Sequence, residues 1–173
     1  MIICRSTRKE KGNALIEFTL VGIPLMLIFI SLIEICIAMW SYHTLAYAVR
    51  EGARYASTKG QTCTYGGNSC SVSVGAVAQQ VAGAGMGLIP AQLNVTLTSS
   101  AGNISCNPVS SCYSNAAIWP PSSASANLPG AIISVSGSYP VQTGLVMMFF
   151  PGTGASRLSS VTLPASSQQV VLY

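Results

Sequence analysis

The sequence contains little charge and few side chains suited to catalysis. Aspartate is absent, histidine occurs once (His43), and charged residues make up 7% of the 173 residues, against about 25% in typical soluble domains. All four acidic residues lie within the first 51 positions, and Arg157 is the only charged residue after Lys59. These absences exclude a carboxylate pair, an acidic metal site and an aspartate-supported triad. We therefore expect no enzyme, no metal and no cofactor.

The net charge of +4 does not indicate nucleic-acid binding. Four of the basic residues precede Gly12, and no basic stripe with interleaved aromatic residues follows them. The sequence also lacks a glycine-rich phosphate loop, so no small-molecule substrate is predicted. A nearly uncharged chain rich in Ser, Thr, Gly and Ala gains little solubility from self-repulsion, which favours a domain that packs among neighbours.

A long apolar segment follows the basic N-terminus. From Phe18 to Tyr42 it contains 25 residues, enough at about 1.5 Å per residue to cross a hydrocarbon core of about 30 Å. The Lys and Arg residues before it favour a cytoplasmic N-terminus, and Trp40 suits the outer interface. A cleaved signal peptide is the alternative, since Ala46-Tyr47-Ala48 has a small-x-small pattern. The apolar stretch is longer than the roughly 7–15 residues of a signal core, which favours a permanent single span.

Two carboxylates accompany the apolar segment: Glu17 lies directly before it, and Glu34 lies within it. An ionised acid inside a bilayer costs at least about 2.5–3.5 kcal/mol, so such groups are normally paired or functional. Glu17 lies near the cytoplasmic boundary, and Glu34 lies seventeen residues further along. Either Glu34 is protonated or extends towards the outer interface, or each carboxylate meets a partner charge when helices pack in an assembly.

Residues 43–57 show apolar and small side chains at intervals of three and four, which predicts a helix continuing out of the membrane. Arg50 and Arg54 are one turn apart, and Glu51 is close enough to Arg54 for a weak ion pair. Gly52 would allow another backbone to approach. This face is either an ordinary solvated surface or one that sets the register against a partner subunit or lipid headgroups.

Four of the six cysteines form two close pairs, Cys63/Cys70 and Cys106/Cys112. Four cysteines permit three pairings, which sequence does not distinguish; we favour local pairing because each pair would close a small loop. Zinc is the alternative, but six and five residues intervene here, whereas zinc ligands are usually about two to four apart. Two disulfides would indicate an oxidising compartment such as the periplasm.

The remaining patterns predict a small α+β domain. They indicate a helix over 72–84, strands over 92–98 and 131–141 (the second ended by Pro140), a long loop over 101–127, an apolar patch over 144–150 and a last strand pair, 160–163 and 168–173. We predict the patch to be buried or adjacent to the membrane. The fold class is α+β, with a long N-terminal transmembrane helix against a three- or four-stranded antiparallel sheet. The predicted domains are a leader (1–12), the helix (13–58) and an extracytoplasmic domain (59–173).

Motifs in the first third of the chain resemble those of a known family. A basic leader, Gly12, and then Glu17 as the fifth residue after the glycine resemble the class III signal of type IV prepilins. The TadE-like proteins of tight-adherence (Flp) pilus systems share a longer series, which corresponds here to Ile16-Glu17-Phe18, Pro24, Glu34 and Arg50-Glu51-Gly52-Ala53-Arg54-Tyr55-Ala56.

The resemblance implies a minor pilin- or pseudopilin-like structural subunit for assembling a tight-adherence pilus or a related secretion apparatus. A prepilin peptidase would cut between Gly12 and Asn13, and the partners would be the bacterial inner membrane and other pilin or assembly subunits. Glu17 would meet a neighbouring subunit's free α-amine. The further residues expected to act in assembly are Glu34, Arg50, Glu51, Gly52 and Arg54.

Two other functions remain open at this point. One is the principal filament subunit of a pilus, although such subunits in these systems are typically much shorter. The other is a membrane-tethered adhesin or binding protein that does not polymerise. Its binding site would have to involve the scattered aromatic residues Tyr113, Trp119 and Tyr139.

Overall fold

The structure, a computed structural model, describes residues 11–60, 62–65, 67–142 and 160–172. The predicted leader is therefore described only from residue 11, and the predicted apolar patch at 144–150 lies outside the described residues. The chain divides into two compact units, Met1–Cys36 and Ile37–Tyr173.

The first unit consists, in its described part, of the N-terminal portion of helix α1 (Lys11–Ser57). From Leu15 onward this helix is long and apolar enough to cross a membrane, judged by length and composition. Its large apolar side chains are exposed, as for Phe18 and Leu20. Pro24 lies inside the helix, where a membrane protein tolerates proline better than a soluble one. The predicted long apolar N-terminal helix is confirmed.

Hydroxyl groups in this part of α1 bond to the helix's own backbone. Thr19 Oγ1 donates to the Ile16 carbonyl at 2.9 Å, and Ser31 Oγ donates to the Leu27 carbonyl at 2.8 Å. Such back-bonding leaves the hydroxyl hydrogen with an acceptor where no water is present. These two hydroxyl groups are thus compatible with a hydrocarbon environment.

The second unit is built on a four-stranded antiparallel sheet with the order β4-β3-β5-β6. The strands are β3 (Asn94–Ser99), β4 (Gly102–Cys106), β5 (Ile132–Gln142) and β6 (Ser160–Val170). A two-stranded hairpin, β1 (Thr64–Tyr65) and β2 (Asn68–Ser69), and the helix α2 (Val74–Ala84) precede the sheet in the chain. Alternating apolar and polar side chains determine which face of the sheet is buried. Leu97 and its cross-strand partner Val135 are buried, whereas the residues next to them in each strand are polar. The predicted α+β class is confirmed.

Three sequence predictions about the strands are wrong. The stretch 101–127 contains β4 and two 3-10 turns, Val109–Cys112 and Ser123–Ser125, rather than a long loop. The predicted strand pair around Pro164 is one continuous strand, β6. Pro164 is tolerated because β6 lies at the edge of the sheet. Similarly, β5 continues through Pro140, which lies beyond Ser138, the last β5 residue that pairs with β3.

The C-terminal part of α1 forms the centre of this unit's core. Its fully buried residues are Leu45, Ala48, Val49, Ala53 and Ala56, spaced by three and four as one helical stripe. Gly137 of β5 lies beneath this stripe: a Cβ added there would be 2.8 Å from Val49 Cγ2 and 3.0 Å from Leu45 Cδ1. The glycine therefore permits the close approach of helix and sheet. The C-terminus is fixed to the same helix, since the Leu172 N–H donates to the Ser57 carbonyl at 2.9 Å.

Helix α2 begins and ends with hydrogen-bonded caps. The Ser73 side chain accepts a hydrogen bond from the Ala76 N–H at 3.2 Å, and the Gly85 N–H donates to the Val81 carbonyl at 3.1 Å. Between these caps the Val and Ala side chains of one face are buried, including Val77. An uncharged helix of 11 residues is marginal by itself, so caps and packing together account for its stability.

Candidate functional site

The two carboxylates of the apolar helix lie in different environments. Glu17 is exposed, whereas Glu34 is half-buried within its part of the chain. Both belong to the first compact unit, where the surrounding apolar side chains are exposed. In a bilayer these two side chains are the acidic groups that neighbouring helices would encounter.

Gly12 and Asn13 lie in the first turn of α1, which begins at Lys11. The peptide bond between them is the predicted cleavage point. Glu17 follows Asn13 by four residues, so on a helix the two positions lie on the same side, one turn apart. A charge at residue 13 and a charge at residue 17 would therefore be close to one another along one helix face.

We call residues 50–56 the box, and the second compact unit the head. The buried side of the box packs against the rest of the head. Ala53 and Ala56 are fully buried. Gly52 faces α2, and a Cβ added at Gly52 would collide with Cγ2 of Val81. Gly52 is thus a packing residue between two helices of one chain, and its predicted role in assembly stays a prediction. The sequence predicted a close backbone approach at this glycine, but it gave no indication that the neighbour is α2.

The outward half of the box is available to solvent. Arg50 and Arg54 are exposed and Glu51 is half-buried. Because the two arginines lie one turn apart, they present two adjacent positive groups on one side of the helix. Lys59 is the next basic residue, and it is half-buried with its Nζ 5.9 Å from the centre of the Tyr55 ring, so Arg50 and Arg54 are the exposed basic side chains of the described head. Arginine is suited to such a surface because its planar guanidinium binds carboxylates and phosphates in pairs of hydrogen bonds.

An open groove lies beside the box, between the outer faces of α1 and α2. It has a volume of about 340 Å³, and its lining comprises Tyr47, Glu51, Gln80, Gly83, Ala84 and Met86. Glu51 therefore lines this groove and is also a close neighbour of the exposed Arg50 and Arg54 on α1. Tyr47 and Glu51 are one turn apart on α1, but the contribution of α2 to this groove is not visible in the sequence, because helical periodicity does not reveal which helix faces which.

The four cysteines of the head form two local disulfides. Cys63 is joined to Cys70, and Cys106 to Cys112, each with a Cα–Cα distance of 5.5 Å. This is the pairing that the sequence favoured over the two other combinations and over zinc. Cys36, in the first unit, is free and exposed. Within the described ranges, no group of three His, Cys, Asp or Glu side chains is arranged to hold a metal ion.

The aromatic residues considered for a binding platform do not form one. Trp119 is 1% exposed and Tyr139 is 8% exposed, and both belong to the hydrophobic core. Tyr113 is partly buried and packs against the same core. The Trp119 backbone N–H donates to the Val72 carbonyl at 2.9 Å, which ties this core residue to the start of α2. These rings stabilise the head rather than presenting a ligand-binding surface.

Comparison with known proteins gives one match, and it falls on the N-terminal segment. Residues 12–54 match the model of a family described as TadE-like protein. The match confirms the resemblance deduced from Gly12, Glu17, Pro24 and Glu34, and it ends within the box at Arg54. No curated protein and no solved structure matches the chain. Residues 12–54, about a quarter of the chain, are thus similar to TadE-like proteins.

Proposed function

We propose that this protein is a minor pilin- or pseudopilin-like structural subunit that acts from the inner membrane in assembling a Tad pilus. The observation that carries the proposal is the dual role of α1. One part of the helix exposes apolar side chains from Leu15 onward, and another part forms the centre of the head's core. A helix that has a membrane-length apolar part and also contributes to the core of the head is suited to a membrane-anchored assembly subunit.

The proposed topology has one membrane span, with the N-terminus in the cytoplasm and the head in the periplasm. Basic residues before the span favour this orientation. Two disulfides in the head suit an oxidising compartment. The corresponding domains are a leader (1–12), the transmembrane and juxtamembrane helix (13–58) and the extracytoplasmic domain (59–173).

We further propose that a prepilin peptidase removes the leader after Gly12. Cleavage would create a positive α-amine at Asn13, close to the membrane boundary. Glu17 is exposed on its helix, so it is accessible to the α-amine of a neighbouring subunit. Burial of both charges in a low-dielectric assembly makes their mutual pairing strongly preferred over leaving either one alone.

The exposed arginines supply a second proposed contact. Arg50 and Arg54 lie outside the span on the surface of the head and are not used by its core. They suit a carboxylate-bearing surface of another assembly subunit, with Glu34 and Glu51 as further assembly residues. Glu51 is the last carboxylate side chain in the sequence and lies one turn from Arg54, so any further carboxylate partner for these arginines would come from another subunit.

Substitution of Glu17 tests the proposal. Glu17→Gln keeps the size of the side chain and removes its charge, and Thr19→Val is the matched control on the same exposed segment. We expect Glu17→Gln to insert into the membrane normally but to co-purify about tenfold less with pilus-assembly subunits, because a loss of about 1.4 kcal/mol changes an equilibrium tenfold. Undiminished co-purification and normal pilus formation would instead favour a tethered protein that does not assemble.

A further inference from the structure

The loop between α2 and β3, residues 85–92, presents apolar side chains to solvent. Met86 is 76% exposed and Ile89 is 52% exposed, while none of the eight residues is charged. We call this segment the Met86 loop. Exposed apolar residues occur singly on most proteins, but two of them close together on an uncharged turn indicate a contact surface.

The display of these side chains is fixed by the loop's own hydrogen bonds. The Leu88 N–H donates to the Gly85 carbonyl at 3.0 Å, and the Gln92 N–H donates to the Ile89 carbonyl at 2.9 Å. The Ile89 N–H donates to the Tyr139 hydroxyl at 3.4 Å, which anchors the loop to β5. Leu88 is buried beneath it. With Leu88 turned inward, Met86 and Ile89 are held outward, so their exposure is a feature of a folded turn.

The Met86 loop lies directly beside Trp40 of α1. A Cβ added at Gly87 would be 3.6 Å from Trp40 Nε1, and Gly87 has a positive φ of 87° that suits glycine. Trp40 is 67% exposed and Met39 is 56% exposed. The loop therefore lies next to exposed apolar side chains of α1 at the position where the predicted membrane span ends.

We infer that the Met86 loop inserts into the outer leaflet of the membrane beside Trp40, and this inference rests on the proposed membrane span. A bilayer surface is the occupant that we favour, because the loop itself carries no charged residue and lies beside the exposed Trp40 and Met39 of α1. Trp is enriched at this interface, where an amphipathic ring has both apolar and polar surroundings. Met and Ile gain free energy when they enter the acyl boundary. The head is thereby attached to the membrane at a second point outside the helix.

Fluorescence quenching in proteoliposomes tests the inference with the full-length protein. In a Trp40→Phe background the remaining tryptophan, Trp119, is buried and common to all samples. Met86→Trp places a probe in the loop, and Ala101→Trp places a matched probe at the exposed turn between β3 and β4. The lipids are phosphatidylcholine with or without bromine atoms on the acyl chains, and acrylamide is the aqueous quencher.

Bromolipid should reduce the emission of the probe at residue 86 by about half, because interfacial side chains lie within about 10 Å of the acyl boundary. The probe at residue 101 should respond to acrylamide alone. Equal bromolipid responses at 86 and 101 would overturn the inference. A probe at 86 that is shielded from both quenchers would also overturn it, since a protein partner would then cover the loop. Native Trp40 provides the separate test of the span: if Trp40 is quenched by bromolipid and residue 86 is not, the span stands and only the loop inference fails.

Discussion

At the scale of single residues, Gly52 has a packing role that opposes helix propensity. Alanine is normally favoured over glycine in a helix by about 1 kcal/mol, yet a Cβ at Gly52 would overlap Val81 Cγ2. The Val81 side chain cannot easily turn away, because a β-branched residue in a helix has one strongly preferred rotamer. Packing therefore outweighs propensity at this position.

We expect Gly52→Ala to lower the free energy of unfolding by about 1–3 kcal/mol, the usual cost of overpacking. The matched control is Gly83→Ala in α2, where an added Cβ meets nothing within 4 Å, and this change should stabilise by up to about 1 kcal/mol. Denaturant unfolding in detergent, followed by tryptophan fluorescence, measures both. Combining Gly52→Ala with Val81→Ala should recover part of the loss. Equal effects of the two glycine substitutions would contradict the proposed contact.

For the exposed arginines we expect an effect on association with partners rather than on stability. Arg50→Ala together with Arg54→Ala should change the free energy of unfolding by no more than about 0.5 kcal/mol per substitution, as for exposed surface positions. The same pair should weaken association with assembly subunits, measured by co-purification from membranes. Val49→Ala, one residue away but fully buried, is the control that should destabilise the head. Unchanged association in the double arginine variant would show that this surface is only solvated.

At the scale of structural elements, the two disulfides are matched in loop length but not in burial. Their sequence separations are 6 and 7 residues, so loop closure alone stabilises each by roughly 2 kcal/mol. Cys106 and Cys112 are buried, and they connect the end of β4 to the following 3-10 turn, whereas Cys63 and Cys70 are half-buried.

We therefore expect replacement of Cys106 and Cys112 by alanine to cost at least about 1 kcal/mol more than the same replacement of Cys63 and Cys70. The difference arises from the buried sulfur volume that alanine does not fill. Thermal unfolding of the two double variants in detergent measures it. If the Cys63/Cys70 variant were the less stable one, the burial argument would be wrong.

The sequence predicted some elements well because their signals are local. The apolar span, the small-residue stripe of 43–57 and the alternation in β3 depend on neighbours within a few positions. β4 was missed because its residues, Gly102–Cys106, form an edge strand with little burial and therefore weak alternation. β6 was divided at Pro164 because edge position, which makes this proline acceptable, is a property of the sheet and not of the segment.

Only part of the candidate site is predictable from the sequence, because some of its features are local in the chain and others depend on contacts between helices. Chain-local features such as Gly12, Glu17 and the arginine spacing were recognisable in sequence. The groove lined by Gln80 and Met86, and the contact of Gly52 with Val81, depend on how α2 packs against α1. Such long-range contacts have no periodic signal in either helix taken alone, so they required the folded structure.

At the scale of the whole molecule, the proposed orientation predicts different accessibility of the two ends. In cells without prepilin peptidase, native Cys4 should react with a membrane-impermeant maleimide only after lysis. A cysteine introduced by Ala101→Cys, at the exposed turn between β3 and β4, should react in intact spheroplasts. The physical basis is the positive charge before the span, which favours the cytoplasmic side. Labelling of Cys4 in intact spheroplasts would reverse the assignment.

Mass spectrometry of the mature N-terminus tests the central claim most directly. In cells with an active prepilin peptidase, a prepilin-like subunit should begin at Asn13, with its free α-amine four residues before Glu17. The same protein from cells lacking the peptidase should begin at Met1 and retain the basic leader. A protein that begins at Met1 in both cell types would contradict the prepilin-like account.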